Sequence, residues 1–225
     1  MIKLVIFDFD DTLCLTEPGC FELENTVAAH LGLPRMERET HLRTWGKPLE
    51  EVLPIRFPGV DVERFMAQFK TLIPGFVAQG LIDSIPEKNL DMLDRLRRMG
   101  RGIAVLTSRL KFECGHLLAP GGCLEGRIDR FYFKESYRYT KPDPRVFLGV
   151  LEDFDLLSHE AVYVGDSPGD AACAKGAGLN FFACLESGCR STESFPDDLV
   201  DDFLVDLAGI TGALERIEGR TVLIG

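Results

Sequence analysis

The chain is short of positive charge. It carries 25 Lys and Arg against 36 Asp and Glu, a formal net charge of −11 and a pI near 4.9. A nucleic-acid surface needs a basic face, so no nucleic-acid partner is expected. The acidity does not exclude an anionic substrate, because a bound metal offsets it locally. No apolar run approaches the ~18 residues of a membrane span, so no membrane partner is expected. The first apolar stretch meets Asp8 too soon to form a signal-peptide core. Seven cysteines, an odd number, include no CxxC pair. This pattern predicts reduced, buried thiols in a cytoplasmic protein. Internal repeats and low-complexity segments are also lacking.

With 225 residues, 45% of them hydrophobic, the chain has enough apolar surface for one large domain, or one domain plus an insert. The other features are organised around its first strand. An apolar run, Leu4 to Phe7, leads directly into Asp8, Asp10 and Asp11. A short apolar run bounded by turn chemistry is the pattern of a strand buried on both faces of a parallel sheet. Ligands of such sheets sit beyond the carboxyl ends of the strands. Carboxylates crowded at that point repel one another unless a cation organises them. The stretch therefore predicts a divalent metal, and oxygen-only ligation favours Mg²⁺. Aspartates that merely cap a helix or shape a turn are the alternative.

Residues 16–82 read as all-helical. Cys20, Leu23, Val27 and Leu31 recur at helical spacing after Glu17 and Pro18, and His30 flanks that stripe. A polar stretch from Pro34 to Thr44 leads to the turn Trp45-Gly46-Lys47-Pro48 and a short helix from Leu49, broken by Pro54 and Pro58-Gly59. Val62, Phe65, Met66, Phe69, Ile73 and Phe76 form a second stripe, which Pro74-Gly75 is expected to end or kink. The expectation is a helical subdomain, 16–82, inserted into an α/β core of 1–15 and 83–225.

From Pro86 the strand–helix alternation resumes. Met92, Leu93, Leu96 and Met99 face one way on a helix stopped by Gly100. Expected strands are Ile103–Leu106, Phe131–Phe133, Ala161–Val164, Leu179–Ala183 and Phe203–Val205. Expected helices begin near Lys111, after Thr140-Lys141-Pro142-Asp143-Pro144, at Ala171 and near Gly209. Polar groups stand at three strand ends: Asp8 and Asp10, then Thr107 and Ser108, then Asp166 and Asp170. Right-handed crossovers bring such ends to one edge of the sheet. Taken singly, Thr107 reads equally as a helix N-cap and Lys141 as a solvated charge. Asp166 and Asp170 likewise read as carboxylates favoured by a helix dipole.

As a set, Asp8-Phe9-Asp10-Asp11-Thr12, Thr107, Lys141-Pro142 and Gly165-Asp166-Ser167-x-x-Asp170 resemble the four motifs of the haloacid dehalogenase-like hydrolase superfamily. The helical insert resembles the cap of its phosphoglycolate-phosphatase-like branch. The resemblance implies a Rossmann-like parallel sheet with an all-helical cap of the C1 type. It also implies a Mg²⁺-dependent phosphatase acting on a small phosphorylated metabolite. In that scheme Asp8 is the nucleophile and Asp10 the general acid and base. Thr107, Ser108 and Lys141 bind phosphate, and Mg²⁺ is held by Asp8, the Asp10 backbone carbonyl, Asp166 and Asp170. Asp10 argues against dehalogenation, since that branch lacks an aspartate there. Asp11 stands in place of a common glycine, Arg109 in place of a common lysine, and Ser84-Ile85-Pro86 departs from the usual cap exit. In the cap, Arg43 and Lys47 are the expected contacts to an anionic leaving group. A phosphomutase of the β-phosphoglucomutase kind and a non-catalytic binding module are the alternatives. Cys114, His116 and Cys123 form an incomplete metal-ligand set. Monomer and homodimer both remain open.

Overall fold

The computed structural model describes residues 1–47 and 49–222, so Pro48 of the expected turn lies outside the described residues. The chain divides into two compact units, Leu15–Ser84 and Met1–Cys14 with Ile85–Gly225. Among the described residues, no helix is long and apolar enough to cross a membrane.

The unit Leu15–Ser84 contains four helices: α1 (Glu17–His30), α2 (Arg38–Thr44), α3 (Leu49–Arg56) and α4 (Val62–Ala78). Its apolar core joins Phe21, Leu23 and Val27 of α1 to Leu53, Phe57 and Phe65. The Phe57 and Phe65 rings lie 5.2 Å apart. The Asp61 side chain caps α4 by accepting the Arg64 N–H at 3.0 Å. Two expectations need correction here, and at Pro74 the helix is not ended. The polar stretch before Trp45 contains a helix, α2, whose buried residues are His41 and Thr44. Pro54 lies inside α3 and does not break it. Pro74 lies inside α4, which continues to Ala78. In α4, Phe76 and Val77 beyond the proline pack on the unit's core. In α3, Val52, Leu53 and Arg56 on either side of the proline are buried. Each proline removes one backbone donor, and burial of its neighbours outweighs that loss.

The second unit is a six-stranded, all-parallel sheet of β1 (Leu4–Phe7), β2 (Gly102–Leu106), β3 (Arg130–Tyr132), β4 (Ala161–Gly165), β5 (Asn180–Cys184) and β6 (Asp202–Leu204). The order across it is β3-β2-β1-β4-β5-β6, so the fold is α/β and Rossmann-like. Helices α5 (Glu87–Arg98), α6 (Lys111–Cys114), α7 (Leu148–Phe154), α8 (Pro168–Gly176) and α9 (Ile210–Val222) connect and follow the strands. On β1, Val5 and Phe7 enter one core and Leu4 and Ile6 the other, because alternate side chains point to opposite faces. Strands β3 and β6 each begin one residue earlier than the aromatic pattern suggests, which leaves Val205 exposed. Helix α8 begins at Pro168, where Ser167 caps it, and Met99 lies exposed just past the end of α5. Cys14, Cys114, Cys173 and Cys184 are buried.

Candidate active site

The strand order reverses direction between β1 and β4, and ligands of open α/β sheets bind at that switch point. Asp8 follows the last residue of β1, and Asp166 follows the last residue of β4. The Asp8 N–H donates to the Val164 carbonyl at 2.8 Å, which continues the ladder between these strands by one residue. Beyond it the chain turns tightly: Cys14 N–H reaches the Phe9 carbonyl at 2.9 Å, and Asp11 N–H reaches the Cys14 carbonyl at 2.7 Å. Asp11 has a φ of 56°, the left-handed conformation that Asp tolerates better than most non-glycine residues. This accounts for an aspartate where glycine is common.

Asp8, Asp166 and Asp170 are all buried, and one carboxylate oxygen from each lies within 4.8 Å of the others. Among the described residues this is the one group of His, Cys and acidic side chains arranged to share an ion. Cys114, His116 and Cys123 form no such group. Lys141 donates to Asp8 Oδ1 at 2.8 Å, to Asp170 Oδ1 at 3.1 Å and to the Tyr163 hydroxyl at 3.0 Å. Ser167 donates to Asp170 Oδ2 at 2.6 Å. Burial, with Asp170 and Asp10 adding to it, pushes Asp8 up to about 7 against the pull of Lys141. Burial, then Asp170, Asp8 and Asp11, hold Asp166 well above the usual carboxylate range. Burial also opposes the charge on Lys141, but Asp170 and Asp8 outweigh it and drive that group upward. One ammonium thus faces three buried carboxylates, and the site is short of positive charge. An oxygen-only set with that deficit fits a hard divalent cation.

Arg109 forks Asp10: Nη2 lies 2.7 Å from Oδ1, and Nε donates to Oδ2 at 3.1 Å. The Arg109 guanidinium also stacks 5.2 Å from the centre of the Phe9 ring. Thr107 is fully buried at the end of β2 and accepts the Arg109 N–H at 3.1 Å, so it is not the cap of α6, which follows Leu110. Ser108 beside it is exposed. The lysine–proline peptide bond at Lys141-Pro142 is cis. Arg43, on α2, and Lys47 are exposed in the helical unit. Tyr163 is the site residue that the sequence pattern did not mark. A lone phenol in an otherwise apolar strand, three positions before Asp166, was the available signal.

Gly165 is required at the end of β4 by a close approach. A Cβ placed there would lie 2.7 Å from Asp170 Cβ and 2.9 Å from Asp170 Cγ. Gly165→Ala is expected to destabilise the protein by about 1–3 kcal/mol and to displace Asp170. Thermal unfolding measures the first effect and a crystal structure of the variant the second. An unshifted Asp170 would contradict the packing argument.

The haloacid dehalogenase-like hydrolase family model matches residues 5–184. A phosphorylated carbohydrates phosphatase from Thermotoga maritima is 29% identical over 180 residues, covering 79% of this chain and 82% of that protein. A phosphoglycolate phosphatase from Nitrosospira multiformis is 28% identical over 199 residues, covering 83% and 84%. Among solved structures, a HAD-superfamily hydrolase of subfamily IA from Geobacter sulfurreducens superposes with a TM-score of 0.72 at 24% identity, over 95% of this chain and 96% of that one. That likeness concerns the fold. The match from the first strand to the end of β5 takes in all four motifs, and the chain belongs to the haloacid dehalogenase-like hydrolases.

Proposed function

We propose that this hydrolase is a Mg²⁺-dependent phosphatase that cleaves a small phosphate monoester through an aspartyl-phosphate. The family match and the phosphatase-named relatives support action on phosphate monoesters. The observation that carries the mechanism is the cluster at the switch point, where Lys141 spans Asp8 and Asp170 beside Asp166.

In this reading an Asp8 carboxylate oxygen attacks phosphorus, the ester P–O bond breaks, and Asp10 gives its proton to the departing oxygen. Asp10 then takes a proton from water as that water attacks phosphorus. This frees Asp8 and inorganic phosphate. Lys141 and Thr107, with Ser108, hold the phosphoryl oxygens where charge accumulates in the transition state. Asp8, Asp166, the Asp10 backbone carbonyl and Asp170 would hold Mg²⁺, which supplies the charge needed to bring an anionic ester against an anionic nucleophile. The fork from Arg109 orients Asp10. For the helical unit we assign the role of a cap, with the exposed Arg43 and Lys47 meeting an anionic leaving group.

Phosphate release from a panel of phosphomonoesters tests this, with Mg²⁺ and with EDTA. Release is expected only with the metal, and at least about a hundredfold above the chelated protein. The ranking of esters then names the substrate class. If a sugar phosphate is isomerised with no net phosphate release, the phosphomutase alternative holds instead. Metal binding without turnover on any ester would point to a binding module.

A further inference from the structure

We propose that Tyr163 is a positioning residue of this site, whose hydroxyl holds the Lys141 ammonium in register with Asp8. The inference rests on the phosphatase reading above and adds to it a residue that contacts neither phosphorus nor metal. Tyr163 is fully buried at the centre of β4, on the second strand of the switch point. Its neighbours Val162 and Val164 face one core, whereas Tyr163 faces the other with Phe147, Phe181 and the small residues of α8. Its ring meets Phe147 edge-on, with centroids 4.9 Å apart. The ring is therefore anchored by packing, and the hydroxyl has a fixed place below the carboxylates.

An ammonium has three N–H donors. Those of Lys141 go to Asp8 Oδ1, Asp170 Oδ1 and the Tyr163 oxygen. The phenol proton goes to Asp170 Oδ1 at 3.1 Å. The hydroxyl thus accepts from the lysine and donates to the aspartate, closing a three-membered hydrogen-bonded ring. Two consequences follow. First, Lys141 keeps its Tyr163 partner when the N–H directed at Asp8 turns to a phosphoryl oxygen. Second, without the hydroxyl the ammonium has only carboxylates to choose from, and it relaxes toward Asp170. A flexible four-carbon stem is stiffened by a rigid ring, which is the preorganisation that transition-state stabilisation requires.

Tyr163→Phe keeps the ring and removes only the oxygen. The expected result is a 10- to 100-fold fall in kcat/KM, the loss typical of one charge-assisted hydrogen bond, carried by kcat with KM little changed. Calorimetry with orthovanadate and with inorganic phosphate, both with Mg²⁺, separates positioning from structural damage. The dissociation constant for vanadate, which adopts the trigonal-bipyramidal geometry, is expected to rise by about the same factor. That for phosphate should move less than about threefold, with one site per chain retained. A reduced number of sites at unchanged affinity would show a structural role only and overturn the proposal. So would a Tyr163→Phe protein with wild-type rates. In a Lys141→Ala background, the second substitution should change kcat/KM by less than about twofold, because its effect runs through the lysine. A full effect there would also overturn it. A wild-type protein that neither releases phosphate nor binds vanadate would remove the phosphatase reading, and this inference with it.

Discussion

Asp8→Asn is expected to abolish phosphate release while leaving the protein folded. The expected fall in kcat is at least about 10³-fold, since in the proposed mechanism Asp8 forms the acyl-phosphate bond. The site geometry makes the second half of that expectation as informative as the first. Asp8 is buried, and its surroundings push its carboxyl up to about 7, so its charged form is disfavoured by the fold itself. An amide has the same shape and no charge to desolvate. It still offers an oxygen to the Lys141 ammonium and to the Phe9 N–H that Asp8 Oδ1 accepts at 2.8 Å. The thermal midpoint of Asp8→Asn without metal is therefore expected within a few degrees of wild type or above it. Phosphate release and thermal unfolding on one preparation decide the matter. Persistent turnover in a folded variant would remove Asp8 as nucleophile. An unfolded variant would show that the carboxylate, and not merely its shape, holds β1 and β4 together.

The parts of this structure that were legible in the sequence are those in which burial and chemistry leave different marks. Strand β1 could be read because a strand covered on both faces is a continuous apolar run, and Asp8 ends that run abruptly. Thr107 and Asp166 stand in the same relation to β2 and β4. The convergence of these ends follows from parallel topology, so the core of the site needed no side-chain geometry to be foreseen. Tyr163 was passed over because its ring behaves as core and only its oxygen reaches Lys141 and Asp170. Helix α2 escaped for the converse reason. Its buried side is made of His41 and Thr44, and a search for apolar periodicity passes over a helix whose inner face is polar. Glu17 and Glu24 offered a sign. They are two turns apart on α1 and fall on its buried side, where a charge needs a partner. Their partners lie on two other helices, and spacing along one element does not name them.

That buried polar cluster carries the second large prediction, a loss of stability in the helical unit with rising pH. His41 has no exposed surface and is packed between Phe21 and Trp45, with ring centroids at 5.3 and 5.0 Å. Its Nδ1 meets Glu17 and its Nε2 lies 3.4 Å from Glu24, both on α1. Arg38, on the same helix as His41, pairs with Glu17. From α3, Arg56 Nη1 holds both oxygens of Glu24 at 2.7 and 2.8 Å, and its Nε donates to Thr44 at 2.8 Å. A neutral imidazole has one N–H, so deprotonation would set a bare nitrogen against a carboxylate on one side of the ring. Burial works against the imidazolium, yet its hydrogen bonds to Glu17 and Glu24 outweigh it and raise the group above its ordinary value. Because the folded pKa is raised, the stabilisation is complete below the unfolded value near 6.5 and is lost as pH climbs through the folded one. The stability difference between wild type and His41→Gln, from urea unfolding, should therefore shrink as pH rises above the unfolded value near 6.5. A difference that is constant or grows with pH would contradict the protonated, doubly bonded histidine. Arg56→Met cuts the cluster at its other end and leaves Glu24 buried with one fewer cation. The expected cost is about 3–5 kcal/mol, or a drop of roughly 12–40 °C in the thermal transition of the helical unit. The α/β unit holds none of these residues, so its own transition should stay in place. A variant that loses both transitions together would show that the two units unfold as one.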